Sequence, residues 1–103
     1  MHGSTHRHLG DRIRDARLSG AIALRENLTT REIARLAGTA ECAVSNLENG
    51  HKLNCKVDTI IPIATVLGCS LDWLLLGRGD SPKPEEIAAA VRASRAKARR
   101  RAA

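Results

Sequence analysis

The chain has 103 residues, 43% of them apolar, and a formal net charge of +6, which suits one domain of modest size plus a tail and one compact helical core at most within these residues. No apolar run approaches the roughly 18 residues needed to cross a bilayer, and the start MHGSTHRH lacks the apolar stretch of a signal peptide, so a cytoplasmic protein is expected. Cys42, Cys55 and Cys69 are odd in number and contain no C-x-x-C pair, which argues against a disulfide framework and a structural zinc site and implies reduced thiols.

Charge is unevenly spread. Residues 1–80 hold 10 Lys and Arg against 9 Asp and Glu, whereas residues 81–103 hold 7 against 2. A basic tail beside a nearly neutral domain suits a nucleic-acid binder that takes general phosphate affinity from the tail and sequence choice from the domain. Trp73 is the only aromatic residue. Proteins that hold single strands stack bases on several rings, so duplex DNA is the better match.

In chain order, residues 1–9 are polar and rich in histidine, and are expected to be disordered. A first helix is predicted over about residues 11–26, with Ile13, Ala16, Gly20 and Leu24 along one side and Asn27 ending it in a left-handed conformation. Gly20 either permits close packing or marks a break. Thr29 or Thr30 caps a second helix that runs to about Ala37, and a third spans about residues 40–49. A fourth begins near Asp58 or Thr59 with Pro62 in its first turn, turns Ile60, Ile61, Ala64 and Leu67 inward, and ends at Gly68. Ser70 caps a fifth, residues 71–76, where Trp73, Leu74, Leu75 and Leu76 run consecutively and exceed what one helix face can bury. Residues 78–84 read as a linker. Residues 85–103 form a basic helical tail whose apolar stripe, Ile87 and Val91, is too thin for a core helix, so it should fray or be ordered by a partner. Strand signals are weak throughout, and the fold class is all-α.

The segment TREIARLAGTAECAVSNLENG, residues 30–50, carries the functional signal. Ile33, Ala34 and Ala37 make one apolar face before Gly38, and Val44 and Leu47 make another after it. Both follow helical spacing, so the segment reads as helix, tight turn, helix. The second of these helices turns Glu41, Cys42, Ser45 and Asn46 outward, all short enough to approach base edges in a major groove.

With TREIARLAG, LENG and IATVLGCSLDWLLLG in this order, residues 11–77 resemble the Cro and phage-repressor type of helix-turn-helix domain, the xenobiotic-response-element (XRE) family. The resemblance implies a five-helix, repressor-like DNA-binding domain over residues 10–77. It implies that Ala40, Glu41, Cys42, Ser45 and Asn46 face bases, and that Thr30, Asn49, Gly50, His51, Lys52 and Lys56 lie along phosphates. It further implies a homodimer, for which the Trp73, Leu74, Leu75 and Leu76 run supplies the interface, and a regulator, most simply a repressor, associated with the nucleoid. Two departures stand out. Ala40 occupies a position that is usually Ser or Thr, so capping of the third helix passes to Thr39. Ala23 stands where the family places an Arg that pairs with the Glu of its ENG ending, which leaves Glu48 to meet Arg17, Arg25 or solvent.

Other function classes are weaker. An antitoxin-like module would fold residues 85–100 on a protein partner. A metal or redox sensor would need His2, His6 and His8 or the scattered cysteines to converge. An enzyme would need a phosphate-cradling loop or paired acid and base, and neither pattern is present. No cofactor and no membrane partner are implied.

Overall fold

In a computed structural model the described residues are 8–50 and 57–102, and among them every regular element is a helix. These are α1 (Leu9–Leu24), α2 (Thr30–Ala37), α3 (Glu41–Glu48), α4 (Val57–Leu67), α5 (Leu71–Leu76) and α6 (Pro84–Ala102). The disorder expected at residues 1–7 lies outside the described residues. Leu9, also assigned to that stretch, instead opens α1 and packs against the core.

α1 closes two residues earlier than Asn27. Arg25 takes the left-handed conformation (φ 58°), its N–H donates to the Ile22 carbonyl, and the Glu26 N–H donates to the Ala21 carbonyl. This pair of bonds satisfies helix-end carbonyls and reverses the chain at once. The early reversal is what allows Leu28, fully buried, to enter the core directly ahead of α2. Thr29 caps α2, its hydroxyl accepting from the Glu32 N–H at 3.1 Å, and Gly38 ends it in the left-handed region (φ 74°) where a side chain would strain the turn.

α4 begins at Val57, so Pro62 lies in its second turn rather than its first. The proline removes one intrahelical hydrogen bond, but the buried side chains of Ile60, Ile63, Ala64, Val66 and Leu67 hold the helix against α1, α2 and α6. Ile61, expected inward, is 43% exposed, because the buried stripe passes through Ile63 and Val66. Ser70 caps α5 as expected, accepting from the Trp73 N–H at 3.1 Å.

The main correction concerns the basic tail. α6 is not a frayed appendage: Ile87, Ala88 and Val91 are buried, and the helix packs on α1, α4 and α2. Two glycines make this possible despite the thin stripe. A Cβ on Gly20 would sit 2.6 Å from Ile87 Cγ2, and one on Gly68 2.9 Å from the Ala90 Cβ, so both sites need a bare backbone for α6 to approach. Gly20 therefore serves close packing, and α1 runs unbroken through it. Pro84 opens α6, where its missing N–H costs nothing, and the Glu86 carboxylate reaches back to accept from the Lys83 N–H at 2.9 Å.

A cluster of charged hydrogen bonds completes the attachment. Arg95 donates to Glu32 Oε2 at 2.7 Å and Oε1 at 2.9 Å, and to Glu26 Oε1 at 2.6 Å, so one guanidinium ties α6 to α2 and to the turn after α1. Hydrogen bonding from Arg95 holds the Glu32 carboxyl below its ordinary value, against the opposing effect of partial burial.

Candidate nucleic-acid interface

α3 is placed by its apolar residues. Val44 and Leu47 are buried against α1 and α2, which turns Ala40, Glu41 and Cys42 to solvent at the N-terminal end and leaves Ser45 and Asn46 half-buried along the flank. Four candidate base-reading residues thus share the accessible surface of one short helix, with the fifth, Ala40, at its N-cap.

The start of α3 has no side-chain cap. Ala40 is the N-cap residue, in an extended conformation, and Thr39 does not take over: it falls one position before the cap, in the turn that closes α2, where its N–H donates to the Ala34 carbonyl at 2.9 Å. Without a side-chain cap the positive end of the α3 dipole is presented at Ala40 and Glu41, which favours a negatively polarised partner, while the Ala43 N–H already donates to the Ala40 carbonyl at 3.0 Å.

Thr30 stands beside this end. With Thr29 serving as the cap of α2, the Thr30 hydroxyl is released from that role and donates to Glu41 Oε2 at 3.3 Å. Glu41 also lies 3.8 Å from the Arg31 guanidinium, itself 84% exposed. A carboxylate facing DNA phosphates would be repelled alone, and Arg31 supplies the cation that offsets it. Arg31 carries no periodic signal in the sequence. Its link to Glu41 exists only because the turn at Gly38 folds the start of α3 back beside the start of α2.

At the other end of α3 the Glu48 carboxylate is buried, 3% exposed at its side chain, and accepts from Arg17 through Nε at 2.8 Å and Nη2 at 2.9 Å. Of the three fates open to Glu48, the bidentate pair with Arg17 is the one formed. Arg17 also donates to the Leu28 carbonyl at 2.9 Å, and Arg14 bridges Glu48 and the Asn49 side chain. With both carboxylate oxygens of Glu48 bonded to Arg17, these charges fix the C-terminal end of α3 against α1. The backbone amides of Asn49 and Gly50 are already engaged, donating to the carbonyls of Ser45 at 3.0 Å and Leu47 at 3.2 Å. Phosphate contact by these two residues would therefore fall to the Asn49 side chain. His51, Lys52 and Lys56 lie outside the described residues.

α5 divides the expected interface. Trp73 and Leu74 are buried in the core, whereas Leu75 and Leu76 are 38% and 62% exposed. Arg12, buried in α1, donates to the carbonyls of Leu74 at 2.7 Å and Leu75 at 2.9 Å. Its cation meets the negative end of the α5 dipole and holds the exposed leucines in place. This buried arginine is hidden in the sequence, where its position in α1 reads as an ordinary solvated charge. Among the described residues no helix is long and apolar enough to cross a membrane, and no three His, Cys, Asp or Glu side chains are grouped to hold a metal ion.

No solved structure gives a significant match to the chain. The helix-turn-helix family model matches residues 22–74, just over half of it, and takes in α2, the turn at Gly38, α3 and α4 together with most of α5. An exposed, dipole-tipped α3 braced by α2 is the arrangement that this family presents to DNA, and the chain belongs to the helix-turn-helix family of the Cro and phage-repressor (XRE) type, the DNA-binding regulators of transcription.

Proposed function

We propose that the protein is a repressor that binds a pseudo-palindromic operator as a homodimer, and so blocks polymerase by occupancy. The observation that carries this reading is the N-terminal half of α3, where Ala40, Glu41 and Cys42 are exposed while Val44 and Leu47 anchor the helix from behind. Asn46 suits a bidentate bond to adenine, Glu41 can accept from cytosine, and Cys42 is small and apolar enough to meet a thymine methyl. Thr30 and the Asn49 side chain, with His51, Lys52 and Lys56 beyond them, take the phosphates. The protomers meet through Leu75 and Leu76, adjoining apolar side chains that the monomer leaves exposed. Two reading helices related by a two-fold axis require half-sites about 34 Å apart, one turn of DNA.

Selection from randomised duplexes at near-physiological salt tests the reading. Enrichment of a two-fold symmetric motif with half-sites one turn apart is expected, and Asn46→Ala should relax the preference at one position per half-site by about 1–3 kcal/mol. Salt-sensitive retention without any enriched motif would contradict sequence-specific repression.

A further inference from the structure

We infer that α6 and α2 together form a rigid basic ridge, made by Arg35, Arg99 and Arg101, that grips the DNA phosphate backbone beside the reading helix. The inference deepens the DNA-binding reading and rests on it.

α3 packs on α2 and α1, and α6 packs on α1, α4 and α2, so α2 is flanked by the reading helix on one side and by the basic helix on another. In a helix-turn-helix the first helix of the motif crosses the phosphate backbone while the second enters the groove. Cations fixed to the flank of α2 are therefore carried toward the strand that α2 crosses. The C-terminal half of α6 supplies them. Arg99 lines a surface depression with Arg35 and Arg95, and Arg101 lines the adjoining one with Arg35, Ala37 and Gly38. Arg35 belongs to both, and its side chain is 62% exposed although it also meets Glu32 at 3.6 Å.

The carboxylates nearby do not cancel this charge. Glu32 and Glu26 share Arg95, and Glu32 also faces Arg35, so the two carboxylates offset two of the four arginines and leave Arg99 and Arg101, both exposed, as surplus cations at the end of a helix whose last turn is Arg99, Arg100 and Arg101. The Arg95 bonds and the buried Ile87 and Val91 remove the freedom of a loose tail. The entropy of ordering is thus lost within the fold and not at the moment of binding, which favours a fixed phosphate contact over diffuse attraction.

The test is the salt dependence of binding to the selected duplex, for the wild type, Arg99→Gln/Arg101→Gln, Arg35→Gln, and Arg99→Lys/Arg101→Lys. Each phosphate contact contributes close to one unit to the slope of log K against log salt. The double Gln variant should have a slope shallower by about two per protomer, so that its deficit against the wild type shrinks by about tenfold per half-site between 50 and 200 mM salt. Arg35→Gln should lose about one unit, and the Lys pair should keep the wild-type slope. Thermal melting should be unchanged by the exposed substitutions at positions 99 and 101. Unchanged slopes in both Gln variants would overturn the proposal, as would a loss confined to positions 99 and 101, which describes a loose tail without Arg35. Failure of the wild type to bind duplex DNA would remove the DNA-binding reading itself, a result distinct from wild-type binding with unaltered variant slopes.

Discussion

Gly20 and Ile87 provide a coupled test of the α6 packing. Ile87 is fully buried, and truncation to Ala removes apolar atoms and leaves a cavity under α1, for an expected loss of about 2–5 kcal/mol. Gly20→Ala adds a methyl 2.6 Å from Ile87 Cγ2 and 3.5 Å from its Cβ, on a β-branched side chain with little rotamer freedom in a helix. Overpacking of this kind costs about 1–3 kcal/mol, partly offset by the ~1 kcal/mol gained in helix propensity. In the Ile87→Ala background the obstacle is gone, so the new methyl fills the space and the propensity gain remains. Gly20→Ala should therefore change sign, from destabilising in the wild type to stabilising by about 1 kcal/mol in that background, a coupling of about 1–3 kcal/mol. Chemical denaturation of the four proteins measures it. Additive effects, or an Ile87→Ala loss below about 0.5 kcal/mol, would refute the docking of α6 in the core.

Three further outcomes follow from the same geometry. Glu48→Ala leaves the Arg17 guanidinium, 16% exposed, without its bidentate partner and should cost about 3 kcal/mol by thermal or chemical denaturation, whereas a loss under 1 kcal/mol would mean that the pair does not anchor α3. Because Arg95 depresses the Glu32 carboxyl below its ordinary 4.5, the unfolded chain takes up that proton more readily; the contribution is complete above about pH 4.5 and drains as pH falls through the lower folded value. Melting temperatures of the wild type and Glu32→Gln should accordingly differ at pH 7 and converge as the pH falls below about 4.5, and a gap independent of pH would contradict the ionic attachment. Burial pushes the Cys69 thiol up to about 12, whereas Cys42 is exposed, so iodoacetamide on the native protein should label Cys42 and spare Cys69 until denaturant is added; equal labelling, read by peptide mass spectrometry, would contradict the placement of α5 and its preceding turn.

The elements closest to strong local signals are the most legible. Ser70 before Leu71 and Gly77 after Leu76 punctuate α5, and the Gly38 turn separates two short amphipathic faces, so caps and periodicity are enough to place these helices. Sequence and structure part where a distant contact outweighs the local pattern. Asn27 is the better left-handed residue by type, but burial of Leu28 sets where the chain must turn, and Arg25 takes the strain. Thr39 has the chemistry of a cap, yet the fold gives the N-cap position to Ala40 and leaves Thr39 in the turn that closes α2. For α6 the stripe of Ile87 and Val91 is visible and thin, but glycines at 20 and 68, far away in sequence, decide how close the helix can come. The site follows the same division. The accessible residues of α3 can be read from its period, whereas Arg31 beside Glu41 and Arg12 under α5 carry no periodic mark, and Arg17 is one of three fates the sequence offers Glu48, chosen only by the fold.

The central claim is that DNA meets the accessible surface of α3. The most direct measurement is an amide chemical-shift titration of the protein with a duplex recovered by selection. The largest shifts should fall on Glu41, Cys42, Ser45 and Asn46 and on Thr30 at the start of α2. Shifts confined to the outer face of α1, around the exposed Leu18 and Ile22, with α3 unmoved, would contradict it.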